Sequence, residues 1–352
     1  VVDVPRRKET PSGEEKSAQS YKKQRMMVIV NPVSGQGEAS RRWLDIERTL
    51  KDLRLDFEYC FTEYPRHAVS LARKAAEEGY KTVVAVGGDG TVYEIVNGLM
   101  SSNALEMPVL GLIPCGRGTD FASSVGIPSD WQVAVSLLAS GRKRKVDVVS
   151  IEYMDGDGLK DGYFVNIAGV GFDSEIVKNA NLIKPALFSL LGGRLSYFAS
   201  FVPALRKLKE KDIEMHLDEK VTRVVAVSVF LANGNYFGGK MRVAPNAEVD
   251  DGMIDVIVTG IGGQSPVIDL PPEEPVPRRG RLGKIFHGLR TISSISRMYT
   301  GILPDDESVF SFKAKKVRLL SDNILLLHAD GELIGEAPVA AEVIDNALTV
   351  IA

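Results

Sequence analysis

Residues 83–94 read Val-Val-Ala-Val-Gly-Gly-Asp-Gly-Thr-Val-Tyr-Glu, an apolar run that passes straight into two glycines, an aspartate, a third glycine and a helical pattern. Such a run fits a strand buried on both faces. Glycines at its end let backbone N–H groups approach an anion, and a following helix adds partial positive charge at its start. Taken alone, the same residues also suit an ordinary tight turn, where Asp-Gly is common. Asp89 beside a polyphosphate would be repelled unless a divalent cation lay between them, and magnesium commonly binds one or two carboxylates plus substrate phosphates. A nucleoside triphosphate with magnesium is therefore the leading ligand.

The same pattern recurs around it. Residues 26–30, 57–62, 82–86 and 109–113 read as strands, and 39–53, 67–79 and 92–100 as helices. Short apolar strands alternating with helices predict a doubly wound α/β sheet with ligands at the carboxyl ends of its strands. After Asp147 the texture changes to short apolar or alternating segments at 163–167, 224–231, 253–258, 316–320, 324–328 and 348–351, interrupted by helical candidates at 187–208 and 282–299. That texture predicts an antiparallel β domain. The division is a flexible tail at 1–25, an α/β domain at 26–147, and the antiparallel β domain at 148–352 with a mobile, proline-rich insertion at 262–281.

Two further glycine loops follow strands of the first domain, Asn31-Pro32-Val33-Ser34-Gly35-Gln36-Gly37 and Pro114-Cys115-Gly116-Arg117-Gly118-Thr119-Asp120. Arg117 suits a phosphate through its planar fork, and Thr119 offers a hydroxyl. Turn-making alone gives no reason for three such loops to share one sheet edge. The ordinary P-loop, Gly-x-x-x-x-Gly-Lys-Ser/Thr, does not occur, nor does Gly-x-Gly-x-x-Gly after the first strand. Near the other end, Asp330-Gly331-Glu332 places two carboxylates around a glycine, a pattern that also makes a hairpin turn; His328 reads as a strand residue rather than a catalyst.

Composition removes several alternatives. A net charge of −3 gives no global attraction for nucleic acid. Two cysteines, Cys60 and Cys115, provide no disulfide framework or metal-ligand spacing and suit a reducing compartment. The most apolar stretch, 182–205, carries Lys184, Arg194 and two prolines, short of a spanning helix.

Together, residues 87–91 with Glu94 and Asn97-Gly98, residues 114–122, Pro245-Asn246-Ala247 with Asp250-Asp251-Gly252, and Asp330-Gly331-Glu332 resemble the diacylglycerol kinase catalytic-domain family, which includes bacterial lipid kinases, sphingosine kinases and ceramide kinases. The resemblance spans about residues 26–352 and implies a doubly wound nucleotide-binding α/β domain at 26–147, a mainly antiparallel β-sandwich at 148–352 that takes the lipid, and an active cleft between them. It implies an ATP- and magnesium-dependent kinase acting on a lipid hydroxyl, diacylglycerol-like or sphingoid-like; the few cysteines and the lack of a signal favour the cytoplasm with peripheral membrane contact. Nucleotide contacts map to Asn31, Ser34, Gly37, Thr62, Gly87, Gly88, Asp89, Gly90, Thr91, Glu94, Gly116, Arg117, Gly118 and Thr119. Asp89, Asp120 and Asp147 map to a carboxylate network around the catalytic magnesium. Glu332 is the expected proton acceptor, with Asp330 and then Asp89 as rivals. Glu248, Asp251 and Met253 map to a second, structural magnesium or calcium site, contributing one carboxylate and two carbonyls. The chain departs from the bacterial pattern Gly-Thr-x-Asn-Asp, having Arg117 for the threonine and Thr119 for the asparagine.

For the lipid, the apolar stretch 183–202 offers a wall or a core helix. Basic residues near 206–209 and 278–284 suit an anionic surface or plain solvation. NAD kinase shares a Gly-Gly-Asp-Gly-Thr loop and a two-domain plan, and a catalytically weak lipid- or nucleotide-binding regulator is a third reading. The sequence is open to a homodimer.

Overall fold

The structure, a computed structural model, describes residues 25–116, 118–156, 158–182, 208–260, 267–268 and 309–352. The expected tail, Arg117, the apolar stretch 183–202, the helical candidate at 282–299 and most of the insertion lie outside the described residues.

Strands β1 (Met26–Val30), β2 (Phe57–Phe61), β3 (Thr82–Gly87) and β4 (Val109–Pro114) form a parallel sheet in the order β2-β1-β3-β4. Side chains alternate between its faces. Val28, Val30, Val84 and Val86 meet Trp43, Ile46 and Leu50 of α1 (Ser34–Asp52) and Val135 and Leu138 of α5 (Trp131–Ser140). Ile29, Val83 and Ala85 meet α2 (His67–Glu77) and α3 (Asp89–Met100) through Ala68, Ala72, Ala75, Ile95, Val96 and Leu99. Double burial is why these strands read as unbroken apolar runs, and each fully buried Val, Ile or Leu contributes roughly 1.5–3 kcal/mol. Two helices differ from expectation at their starts. α3 begins at Asp89, so Gly90 and Thr91 belong to its first turn. In α1, Gly35, Gln36 and Gly37 form a left-handed turn, with φ of 60°, 60° and 81°.

The second half is an antiparallel array in the order β14-β9-β8-β16-β18-β17-β7-β10-β13-β15. Its members are β7 (Ile167–Gly171), β8 (Lys211–Leu217), β9 (Lys220–Ala226), β10 (Ser228–Ala232), β13 (Ile254–Thr259), β14 (Val267–Ile268), β15 (Val309–Ala314), β16 (Lys316–Leu320), β17 (Leu326–Ala329) and β18 (Glu332–Ile351), while β11 (Tyr236–Phe237) and β12 (Met241–Arg242) pair with each other apart from it. Ile213, Met215, Val224, Val256, Val317 and Leu319 fill its interior. The two strands expected at 163–167 and 224–231 are each broken. β6 (Gly158–Phe164) ends before β7, because the N–H groups of Val165, Asn166 and Ile167 turn to the Asp330 carboxylate. β9 and β10 part at Val227, whose N–H goes to Thr259 O and whose carbonyl accepts from Phe172 N.

Two strands join the halves. β5 (Lys143–Asp155) runs through the expected junction at 147/148, antiparallel to β18. β18 is 20 residues long; it pairs with β17 and β16 and reaches β4 at Val350↔Leu110. The sequence showed only its end, 348–351. A further helix, α6 (Phe172–Leu182), follows β7.

Candidate active site

The glycine loops meet at the carboxyl edge of the parallel sheet. Asn31 leaves β1 with its N–H on Val86 O, and its Nδ2 donates to Thr91 Oγ1 at 3.0 Å. Ser34 N–H donates to Asn31 O, and Gly37 N–H to Val33 O. Thr62 N–H donates to Val30 O, at the end of β2. The loops after β3 and β4 touch backbone to backbone: a β-carbon on Gly116 would lie 2.6 Å from Gly88 Cα. Thus Asn31, Ser34, Thr62, Gly87, Gly88, Asp89, Gly90, Thr91, Gly116, Gly118 and Thr119 share one edge, where α3 presents its N-terminus. Glu94 is engaged differently. Its carboxylate accepts the N–H groups of Arg66 and Ala68, at 3.0 and 3.1 Å, and so caps α2.

Asp89 and Asp120 form the acidic centre. Asp89 accepts from the N–H groups of Asp120 and Phe121, at 3.2 and 3.1 Å, at the start of α4 (Asp120–Ser124). Asp120, 5% exposed, accepts from Gly239 and Lys240 N–H, at 3.0 and 2.6 Å, which ties the acidic centre to the sandwich. Burial raises the Asp89 carboxyl above its ordinary range, and the negative charge of Asp120 adds to it; burial likewise raises Asp120. Two neighbouring carboxylates that resist ionisation suit a divalent cation, and magnesium needs no more than two when phosphates complete its shell. Among the described residues no group of three His, Cys, Asp or Glu side chains is placed to hold a metal unaided.

Asp147 lies on β5. It is fully buried, and its oxygens accept from Gly252 N–H at 2.7 Å and Asn346 N–H at 2.6 Å, which pins the 249–252 loop to β18. In that loop Asp251 Oδ1 accepts from Met253 N–H, and Oδ2 lies 2.6 Å from Lys313 Nζ. Lys313 also reaches the buried Asp255, at 3.4 Å. The loop thus has a resident cation, and the expected second metal at Glu248, Asp251 and Met253 does not fit unless Lys313 leaves.

Asp330 and Glu332 face the glycine loop from the sandwich. Asp330 holds a left-handed φ of 48°, and its carboxylate accepts three N–H groups, from Val165, Asn166 and Ile167, each at 3.0 Å. Burial pushes its carboxyl up to about 6, against those donors. Glu332, exposed at the cleft, accepts no hydrogen bond from a described residue. A β-carbon on Gly90 would lie 2.5 Å from its Oε1, so the sandwich carboxylate rests on the first turn of α3. Although the residue as a whole is exposed, its carboxylate end lies against α3 and is partly withdrawn from solvent, which raises the Glu332 carboxyl; the charges of Glu94 and Asp330 push the same way.

Three asparagines organise this junction, and the sequence reading did not single them out. Asn166 accepts from Ser124 Oγ and donates to Tyr236 O; Asn233 Nδ2 donates to Asp147 O and Val165 O; Asn235 Nδ2 donates to Ala247 O at 2.6 Å. The available signal was Asn233-Gly234-Asn235 directly after a buried strand.

Comparison with known proteins agrees with this geometry. The profile of the diacylglycerol kinase catalytic domain matches residues 25–151, and that of the YegS C-terminal NAD kinase beta sandwich-like domain matches 166–272 and 286–352. A diacylglycerol kinase from Staphylococcus aureus (strain MRSA252) is 26% identical over 316 residues, covering 90% of this chain and 88% of the relative. A crystal structure of a diacylglycerol kinase from Bacillus anthracis str. Sterne superposes with a TM-score of 0.64 at 21% identity, over 93% of this chain and 96% of the other. At that identity the structure speaks for the fold alone. With both halves matched in order along the chain, this protein belongs to the diacylglycerol kinase catalytic-domain family.

Proposed function

We propose that the chain is an ATP- and magnesium-dependent lipid kinase that moves the γ-phosphoryl group onto a hydroxyl of a diacylglycerol-like lipid. One observation carries the reading: Glu332, a carboxylate with no hydrogen-bond donor of its own among the described residues, rests on Gly90 in the middle of the glycine loop. A proton acceptor and a phosphate cradle then share one cleft. The diacylglycerol kinase of Staphylococcus aureus supports a lipid acceptor.

In this reading the glycine backbone of 87–91 and 116–118 holds the triphosphate, with Asn31, Ser34 and Thr91 beside it. Asp89 and Asp120 are the residues that would hold magnesium, and bound magnesium supplies neutralisation of the phosphate charge. Phosphoryl transfer needs alignment more than covalent help. The lipid oxygen forms a bond to the γ-phosphorus, the bond from that phosphorus to the β-bridging oxygen breaks, and ADP departs. Glu332 takes the hydroxyl proton and passes it to solvent. Asp330 acts differently from its rival, since three N–H groups already hold its oxygens; it fixes the turn that aims Glu332. Acting on a bilayer lipid places the enzyme at a membrane surface, and among the described residues no helix is long and apolar enough to cross one.

The test is transfer of labelled γ-phosphate from ATP, with and without magnesium, to diacylglycerol, a sphingoid base, ceramide and NAD. Phosphorylated diacylglycerol, absent with Asp89→Asn and Glu332→Gln, is expected. Phosphorylated NAD, or nucleotide binding without any product, would overturn the reading.

A further inference from the structure

Behind the turn that carries Asp330 and Glu332 lies a pair of ionisable side chains that the reaction just described does not use. His328 of β17 and Asp173, in the first turn of α6, bring Nε2 and Oδ2 to 2.8 Å. Both are sealed from solvent, at 0% and 3% exposure. The imidazole lies flat on Phe237, with ring centroids 4.5 Å apart and planes 10° apart. Gly169, the register partner of His328 on β7, makes the room: a side chain there would run into both polar atoms. Two serines hold α6 down at this point, since Asp173 N–H donates to Ser228 Oγ and Ser174 Oγ donates to Gly169 O.

The chemistry of the niche is unusual. Neither carboxylate oxygen of Asp173 has a well-aligned hydrogen-bond donor, and neither ring nitrogen of His328 has a partner besides Asp173. A buried polar side chain left without a partner is costly, and across 2.8 Å each of these two has the other as its polar neighbour. Among the described residues, the charged groups that face His328 are Asp173 from α6 and Asp330 and Glu332 from its own hairpin. The register partners of His328 are Gly169 on β7 and Leu333 on β18, and the Phe237 ring covers its face.

We propose that Asp173 and His328 are a positioning pair for the Asp330–Glu332 hairpin: the pair clamps β17 to α6 directly behind the two carboxylates. The kinetic part of its test rests on the kinase reading, whereas the spectroscopic part does not. In 15N-histidine-labelled protein, four imidazoles are present and His328 is identified by its loss in His328→Gln. Its Nε2–H proton is expected to be visible, shifted downfield and slow to exchange, as an N–H held by a buried carboxylate is; a ring without such a proton overturns the proposal. His328→Gln and Asp173→Asn are each expected to lower kcat about ten-fold while ATP affinity stays within about two-fold. His328→Gln moves the acid limb of kcat/KM to higher pH, because the imidazole lowers the Glu332 carboxyl and its loss lets that carboxylate hold its proton more tightly. The double variant is expected to be no worse than either single one. Wild-type kcat and an unmoved acid limb in folded variants would overturn the proposal, and the wild-type spectrum decides should the variants not fold. If the wild type phosphorylates no lipid, the kinase reading fails while the spectrum still judges the pair.

Discussion

Gly90→Ala separates the stability of the fold from the placement of its carboxylate. The added β-carbon would lie 2.5 Å from Glu332 Oε1, while ordinary contact begins near 3.4 Å, so the carboxylate must retreat by about 0.9 Å. The atom that yields is the far end of a flexible side chain, and Gly90 has no left-handed φ to forbid alanine. Inside a helix, alanine is favoured over glycine by up to about 1 kcal/mol, so thermal stability should hold or rise slightly. Catalysis should not hold: a misplacement of about 1 Å costs on the order of 100-fold, or about 2.7 kcal/mol of barrier. Steady-state kinetics with labelled ATP and diacylglycerol in mixed micelles, beside thermal unfolding and ATP titration, measures all three quantities. The reasoning predicts a fall in kcat with Tm and ATP affinity preserved. A variant with wild-type kcat would refute the idea that contact with α3 aims Glu332, and a fall in ATP affinity alone would move the effect to the phosphate cradle.

Three other outcomes are expected. Gly116→Ala presses its β-carbon against Gly88 Cα at 2.6 Å, backbone on backbone, and should cost about 1–3 kcal/mol in urea unfolding along with ATP affinity. Lys313→Met should destabilise by about 1–3 kcal/mol, less than a fully buried pair because Lys313 is partly exposed, whereas chelation without nucleotide should leave the wild-type Tm unchanged; a drop on chelation would restore a metal to the 248–253 loop. Asp330 holds its proton to about pH 6 when folded and to 3.8 when unfolded, so its contribution favours the folded state at low pH and is lost, up to ~3 kcal/mol, as pH rises from about 4 through 6. Urea unfolding between pH 4 and 7 should therefore show a slope between about pH 4 and 6 that Asp330→Asn flattens.

The strands of the parallel sheet were legible to within a residue because burial on both faces writes itself as an unbroken apolar run. The glycine loops and the Asp330-Gly331-Glu332 turn were legible because turn chemistry punctuates the chain locally. β18 was not, since its solvent face carries Glu342 and Asp345 and its pairing shifts register twice against β5, which blurs the alternation over all but its last residues. The partners of Asp147 and Asp173 were hidden for another reason. Asn346 lies 199 residues from Asp147, and His328 meets Asp173 only through the β7 and β17 register. A sequence shows which side chains are chemically capable, and strand register decides which of them meet.

The long strand β18 also bears on how the cleft moves. It starts at Glu332, supports the sandwich along its middle and finishes beside β4, so the two walls of the cleft are stitched by one continuous ribbon. Lobes connected by a linker swing about it at little cost, but lobes that share a paired strand must bend or twist that strand to part. Any parting of the two walls would therefore have to flex that ribbon, which carries Glu332 at its near end and meets the parallel sheet at its far end.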